Sequence, residues 1–140
     1  MTDLPAFVLD SFALLAYLQD EPAALRIEKE LENAGKEKCR LFLSIINLGE
    51  LLYIIERKPG VARAQETLAL IRELPIEIVP AEEKTVLAAA HLKANHAISY
   101  ADSFAVAVTV EKNATLVTGD PEFQSVENVI AVEWLENAKG

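Results

Sequence analysis

The sequence predicts an α/β fold in which a parallel β-sheet is covered by helices on both faces. Short apolar segments alternate with longer segments that have helical periodicity, and the short segments are almost continuously hydrophobic, as in strands buried on both faces. No repeat, linker or low-complexity stretch divides the 140 residues. We therefore expect one domain covering residues 1–140, with functional groups at the carboxyl ends of the strands.

Five segments are predicted to be strands. Each is short and rich in aliphatic residues, and Pro75 and Pro80 bracket the third of them. The predicted strands are residues 6–9, 40–43, 76–79, 114–117 and 129–132.

The segments between the strands have apolar residues at helical spacing. Gly35 ends one of these patterns, Ser44 is placed to cap the most apolar helix, and Pro59-Gly60 ends that helix. The predicted helices are residues 12–18, 23–34, 45–58, 61–74, 82–93 and 99–112.

Four acidic residues are candidates for a functional site at the carboxyl ends of the strands. Asp10 directly follows the first predicted strand and Asp120 follows the fourth, so both should lie on the carboxyl edge of the sheet. Glu50 is six residues beyond Ser44, which corresponds to roughly 9 Å along a helix. Asp102 is in the first turn of the helix that precedes the fourth strand.

Carboxylates that converge cannot all stay ionised without a compensating cation. Oxygen ligands without cysteine or histidine favour Mg²⁺ or Mn²⁺, ions that also bind phosphate oxygens. The predicted reaction is therefore metal-assisted hydrolysis of a phosphodiester, in which a water attacks in line. Thr118 and Ser11 are hydroxyl residues placed to orient a ligand, a water or a phosphate.

Each acid also has a structural interpretation. Asp102 is three residues after Ser99, the spacing of a capping box, and taken alone this favours simple capping. Asp10 and Asp120 are each placed to cap the segment that follows. Glu50 could lie on a solvated helix face, although its helix is apolar nearly all round.

The formal net charge of −9 opposes a nucleic-acid partner, because it repels a polyanion at long range. Two clusters of basic residues could still attract a polyanion locally. They are candidate phosphate contacts only if they flank the acids. They are Lys36, Lys38 and Arg40, and Arg57, Lys58 and Arg63.

Other features point to a soluble protein of the cytoplasm. The first residues lack the basic and apolar regions of a signal peptide, and no stretch approaches a membrane-spanning length without charges. Cys39 is the only cysteine and has no metal-ligand spacing, so we expect a reduced core thiol. His91 and His96 are assigned no role, and Trp134 is expected to pack the last segment or an oligomer contact.

Four motifs together resemble the PIN-domain family, and most closely the VapC-type toxins of toxin-antitoxin pairs. They have the order and spacing of the family across nearly the whole chain. They are Val8-Leu9-Asp10-Ser11-Phe12-Ala13, Asn47-Leu48-Gly49-Glu50-Leu51-Leu52, Ser99-Tyr100-Ala101-Asp102-Ser103-Phe104 and Leu116-Val117-Thr118-Gly119-Asp120-Pro121.

The resemblance implies a three-layer α/β/α sandwich with a five-stranded parallel sheet, Mg²⁺- or Mn²⁺-dependent cleavage of RNA, and a homodimer. Asp10, Glu50, Asp102 and Asp120 match the acidic quartet of the family, and Thr118 matches the hydroxyl residue two positions before the last acid. A small antitoxin is the implied protein partner, which commonly inserts a basic side chain among the acids. Gly119 departs from the pattern, because relatives often have a larger and frequently basic residue there.

Two other functions compete with the nuclease. An aspartyl phosphatase needs a second Asp two positions after the first, where Phe12 stands, and a receiver domain needs an Asp after the third strand, where Pro80-Ala81 stands. The remaining alternative is an interaction module of the same fold that binds metal, RNA or a partner without cleavage. Four mutually repelling acids argue against it, since an abandoned site has no physical reason to keep them.

Overall fold

The fold is described here from a computed structural model, for residues 3–135. It contains a five-stranded sheet, all of whose neighbouring strands are parallel, in the order β3-β2-β1-β4-β5. This confirms the predicted fold class. The strands are β1 (Ala6–Leu9), β2 (Arg40–Ser44), β3 (Glu77–Val79), β4 (Thr115–Thr118) and β5 (Ala131–Trp134).

Helices fill the connections, as the periodicity predicted, and a 3₁₀ turn (Pro121–Val126) follows β4. The largest difference from prediction is at β5, which begins two residues later than expected. The backbone N–H groups of Val129 and Ile130 both donate to the carbonyl of Val126, so these two residues close the preceding turn and are not available to the sheet. The helices are α1 (Ser11–Leu18), α2 (Ala24–Gly35), α3 (Ile45–Arg57), α4 (Val61–Glu73), α5 (Glu83–Asn95) and α6 (Tyr100–Glu111).

Alternate residues of the central strands belong to two hydrophobic clusters on opposite faces of the sheet. Leu9 and Val117 pack on the face that is covered by α1 to α4. Val8 and Leu116 pack on the opposite face, against α6. Both faces are therefore buried, which explains why the strands are almost continuously apolar in sequence. Cys39 is a buried free thiol, as expected.

The order of the strands determines where a site can form. From β1 the chain moves outward to β2 and β3 on one side, whereas β4 and β5 extend the sheet on the other side. The gap between the carboxyl ends of β1 and β4 is thus the point at which the topology reverses, where open α/β sheets bind ligands. Leu9 is in register with Val117, so Asp10 and Thr118 lie side by side there.

Helix α3 contacts both α1 and α6 and so joins the two helical layers at this edge. Ser44 ends β2 and caps α3, since its hydroxyl accepts a hydrogen bond of 3.1 Å from the N–H of Ile46. None of the helices within residues 3–135 is long and apolar enough to cross a bilayer.

Replacing Ser44→Ala is expected to lower the free energy of unfolding by about 1 kcal/mol, the usual cost of losing a helix cap. Urea unfolding followed by circular dichroism measures this change. Ser125→Ala is the control, because the Ser125 hydroxyl donates to exposed carbonyl groups and caps no helix. Equal stability of the Ser44→Ala protein and the wild type would contradict the assignment of the cap.

Candidate functional site

Asp10 lies at the centre of the carboxyl edge, in the gap between β1 and β4. Its side chain is only 1% exposed, and it caps α1 by accepting a hydrogen bond of 2.8 Å from the N–H of Ala13 at Oδ1. The Thr118 hydroxyl donates to the other oxygen, Oδ2, at 2.5 Å. Both oxygens are therefore fixed, one by its own helix and one by the neighbouring strand.

Glu50 reaches the same edge from α3. The Ser11 hydroxyl donates to Glu50 Oε1 at 2.6 Å, which links α3 to the first residue of α1. The hydroxyls of Ser11 and Thr118 each donate a proton to a carboxylate, and the orienting of a ligand by these two residues stays a prediction. The direct effect of both residues is to position acids.

Asp102 is buried in the first turn of α6. Its N–H donates to the Ser99 hydroxyl at 3.1 Å, as the capping pattern predicted. Its position relative to α3 is fixed by Asn47, a fully buried residue one turn before Glu50, whose Nδ2 donates to the carbonyl of Ala101 at 3.1 Å. The elements that present Glu50 and Asp102 are therefore tied to each other beside the acids.

Asp120 follows β4, where its N–H donates to Thr118 Oγ1 at 3.0 Å and its Oδ1 accepts from the N–H of Glu122 at 2.9 Å. Glu122 was missed in the sequence. Its Oε1 accepts a hydrogen bond of 2.6 Å from the N–H of Ser99, the bond that Asp102 would accept in a complete capping box. Glu122 thus replaces Asp102 in accepting this bond at the start of α6, and the Asp102 carboxylate lies against Glu122 among the other acids.

The carboxylates influence one another electrostatically. Burial, aided by the charge of Asp120, raises the pKa of Asp10 from 3.8 to about 7, against the opposing effect of the Thr118 and Ala13 hydrogen bonds. Burial likewise raises the pKa of Asp102 from 3.8 to about 8, and contact with Glu122 and the charges of Asp120 and Asp10 add to it. Among residues 3–135, no basic side chain contributes to either pKa, so the negative charge at this edge lacks a counterion from this part of the chain.

A divalent cation would supply that charge, and the donor set is suitable because it consists of carboxylate oxygens. Among residues 3–135, however, no three Asp, Glu, His or Cys side chains stand in a geometry that would hold one ion together. The acids share an environment, and some side-chain rotation would be needed to bring their oxygens onto one ion. By charge and chemistry the residues fit Mg²⁺ or Mn²⁺.

The basic clusters do not adjoin the acids. Arg40 is the first residue of β2, so it and the preceding residues Lys36 and Lys38 lie at the amino edge of the sheet. Arg40 also forms an ion pair with Glu77 at 3.0 Å. Arg57 is seven residues beyond Glu50, roughly 10 Å further along α3, and its guanidinium stacks on Tyr53. A cavity of about 800 Å³ also lies at the amino edge, lined by residues such as Cys39 and Arg40.

Comparison with known families identifies the chain. The sequence profile of the PIN domain matches residues 7–129, which include all four acids. The chain belongs to the PIN-domain family. Comparison with curated protein sequences finds no match.

Solved structures share this PIN fold at low sequence identity. A chain of VapBC2 from Rickettsia felis, bound to a DNA fragment from its promoter, superposes with a TM-score of 0.73 at 19% identity, covering 94% of this chain and 99% of that one. DNA-bound VapBC from Salmonella typhimurium gives 0.71 at 18% identity, covering 93% and 98%. VapC20 of Mycobacterium tuberculosis, described as a sarcin-ricin loop cleaving toxin, gives 0.67 at 17% identity, covering 86% and 94%.

The raised pKa values predict how the stability of the metal-free PIN domain depends on pH. Folded Asp10 and Asp102 hold their protons to higher pH than the unfolded chain, so their contribution is complete below about pH 4 and is lost as the pH rises through 7 and 8. For Asp10 a rise from 3.8 to about 7 corresponds to at most about 4 kcal/mol. Urea unfolding in EDTA should therefore give a lower free energy at about pH 9 than at about pH 5.

The Asp102→Asn protein should lose less stability over this range, whereas Asp20→Asn, at an exposed aspartate beyond the far end of α1, should behave like the wild type. Equal slopes for the Asp102→Asn and wild-type proteins would contradict the electrostatic account of the site.

Proposed function

We propose that this PIN domain is a metal-dependent endoribonuclease that hydrolyses phosphodiester bonds in RNA. Asp10, Glu50, Asp102 and Asp120 are its catalytic acids and hold Mg²⁺ or Mn²⁺. The observation that carries the proposal is the electrostatic one: acids from separate elements meet at the topological switch point, and two of them have strongly raised pKa values. Such an arrangement is costly for folding and is typical of functional sites.

The side chains around the acids set their geometry in advance. Thr118 holds one oxygen of Asp10 and the backbone of Asp120, so a single hydroxyl relates these two acids. Ser11 holds Glu50, and Glu122 takes the N–H of Ser99 that would otherwise attract Asp102. These hydrogen bonds keep the acids close to one another, so that rotation of side chains, without movement of the backbone, would bring their oxygens onto one ion.

A bound Mg²⁺ or Mn²⁺ would ease deprotonation of the attacking water and offset charge on the phosphate oxygens. Asp10, Asp102 and Asp120 would hold the ion together with Glu50, which reaches the site from α3. A bound cation would offset both causes of the two raised pKa values, the burial of negative charge and the repulsion between the acids, so the acids would ionise together with metal binding.

We assign the protein to the toxin side of a VapBC-type pair acting in the cytoplasm. This assignment is supported by membership of the PIN family and by structural similarity to VapBC complexes and to a toxin that cleaves the sarcin-ricin loop. An antitoxin that places a basic side chain among the acids would satisfy the same charge deficit as a cation. A homodimer is proposed from the family resemblance alone.

Cleavage of a panel of structured RNAs by the purified chain tests the proposal. Wild type should cut RNA with Mn²⁺ or Mg²⁺ and not with EDTA. Asp102→Asn should reduce the rate by about 100-fold or more, the effect expected when a group that stabilises charge in the transition state is removed. The Asp102→Asn fold should be as stable as wild type or more stable, since repulsion is relieved.

Asp20→Asn provides a matched control, because it makes the same chemical change at an exposed aspartate outside the site. Full activity of the Asp102→Asn protein would contradict the assignment of the acids. Metal binding without cleavage of any RNA in the panel would favour an interaction module of the same fold.

A further inference from the structure

Gly119 lies between Thr118 and Asp120, in the middle of the acidic site, and it is in contact with an aromatic ring. A Cβ atom added at Gly119 would lie 2.5 Å from Cε1, 3.0 Å from Cζ and 3.3 Å from Cδ1 of Phe12. The φ angle of Gly119 is not in the left-handed region, so the backbone does not require glycine at this position. The absence of a side chain therefore serves the close approach of the Phe12 ring.

Phe12 is placed beside the reacting groups by its position in α1. It is two residues after Asp10, and its ring contacts Gly119, the residue directly before Asp120. The side chain is only partly buried, although the next two residues, Ala13 and Leu14, are fully buried. Phe12 also lies outside the hydrophobic clusters formed by the described residues. Packing of the core does not explain an aromatic ring here.

The charge distribution makes an uncharged contact with RNA valuable. The chain has a net charge of −9, and its two basic clusters lie away from the acids. Few cationic side chains are thus available near the site to hold the phosphate backbone. Stacking of a base on an aromatic ring gives affinity that does not depend on charge, because every base has a π-face.

We propose that Phe12, seated on Gly119, is the stacking platform for one nucleobase next to the cleaved phosphodiester. The inference rests on the proposed ribonuclease function and specifies how the site positions its substrate. Phe12 would determine which bond of a single-stranded segment faces the acids, since a base held on the ring fixes the adjacent phosphate. Gly119 contributes by leaving room for the ring.

Fluorescence quenching of 2-aminopurine, a stacking-sensitive base analogue, tests this directly. Single-stranded RNAs about ten nucleotides long carry the analogue at successive positions and are titrated with the Asp102→Asn protein, which prevents cleavage. We expect strong quenching at one position. Adding Phe12→Leu should remove that quenching and weaken binding by about 5- to 100-fold, the range for loss of one base stack.

Three further variants separate stacking from a general effect on the fold. Phe12→Tyr keeps an aromatic face and should retain the quenching. Gly119→Ala should behave like Phe12→Leu, because its Cβ displaces the ring. Tyr53→Leu is the matched control, since Tyr53 is an exposed aromatic on α3 that lies beyond Glu50, and this change should have no effect.

The outcomes for the two proposals are distinct. Unchanged quenching and affinity in Phe12→Leu, or no binding of RNA at all, overturns the stacking platform. If wild type cleaves RNA while Phe12→Leu cuts the same bond with the same KM, the ribonuclease stands and the platform is wrong. If wild type cuts no RNA but Phe12-dependent quenching is observed, the base site stands and the proposed activity fails.

Discussion

Burial of several neighbouring carboxylates is the constraint around which this edge of the protein is organised. Asp10 and Asp102 are shielded from water and face further acids, so their ionisation is opposed both by burial and by neighbouring charge. Hydroxyl and backbone N–H donors fix the acids in place, yet the pKa values of Asp10 and Asp102 remain high. A site of this kind is stable when a cation, a proton or a basic group from a partner supplies positive charge.

The fold could be predicted because its signals are local. The elements can be identified in order from continuous apolar strands, from helical spacing of apolar residues, and from Pro and Gly residues that end them. The parallel sheet follows from the alternation of strands with helices. Asp10 and Asp120 could be assigned to the carboxyl edge because each directly follows a strand. The position of Asp102 could not be assigned in the same way, because its helix begins after a loop. The family pattern implied that this helix starts at the same edge, and the structure shows it there.

The parts of the site that sequence reasoning missed depend on contacts between distant residues. The Ser99 and Asp102 spacing correctly predicted half of a capping box, but the other half is made by Glu122, which is 23 residues further along the chain. In the sequence, Gly119 was notable only as a departure from the family pattern. The structure explains the glycine, because the ring of Phe12, on a different element, occupies the space that a side chain would need. Ser11 and Thr118 were recognised as hydroxyl residues of the site, but their partners could not be seen without the fold.

The most direct measurement for this account is an anomalous difference map from a crystal of the wild-type protein grown with Mn²⁺. We expect a peak at the carboxyl edge of β1 and β4, with oxygen atoms of Asp10, Glu50, Asp102 and Asp120 turned toward it, the bonded ones at about 2.1 Å. A map with no peak there, in which the acids keep their metal-free positions and hold protons between them, would contradict the view that this cluster exists to bind a cation.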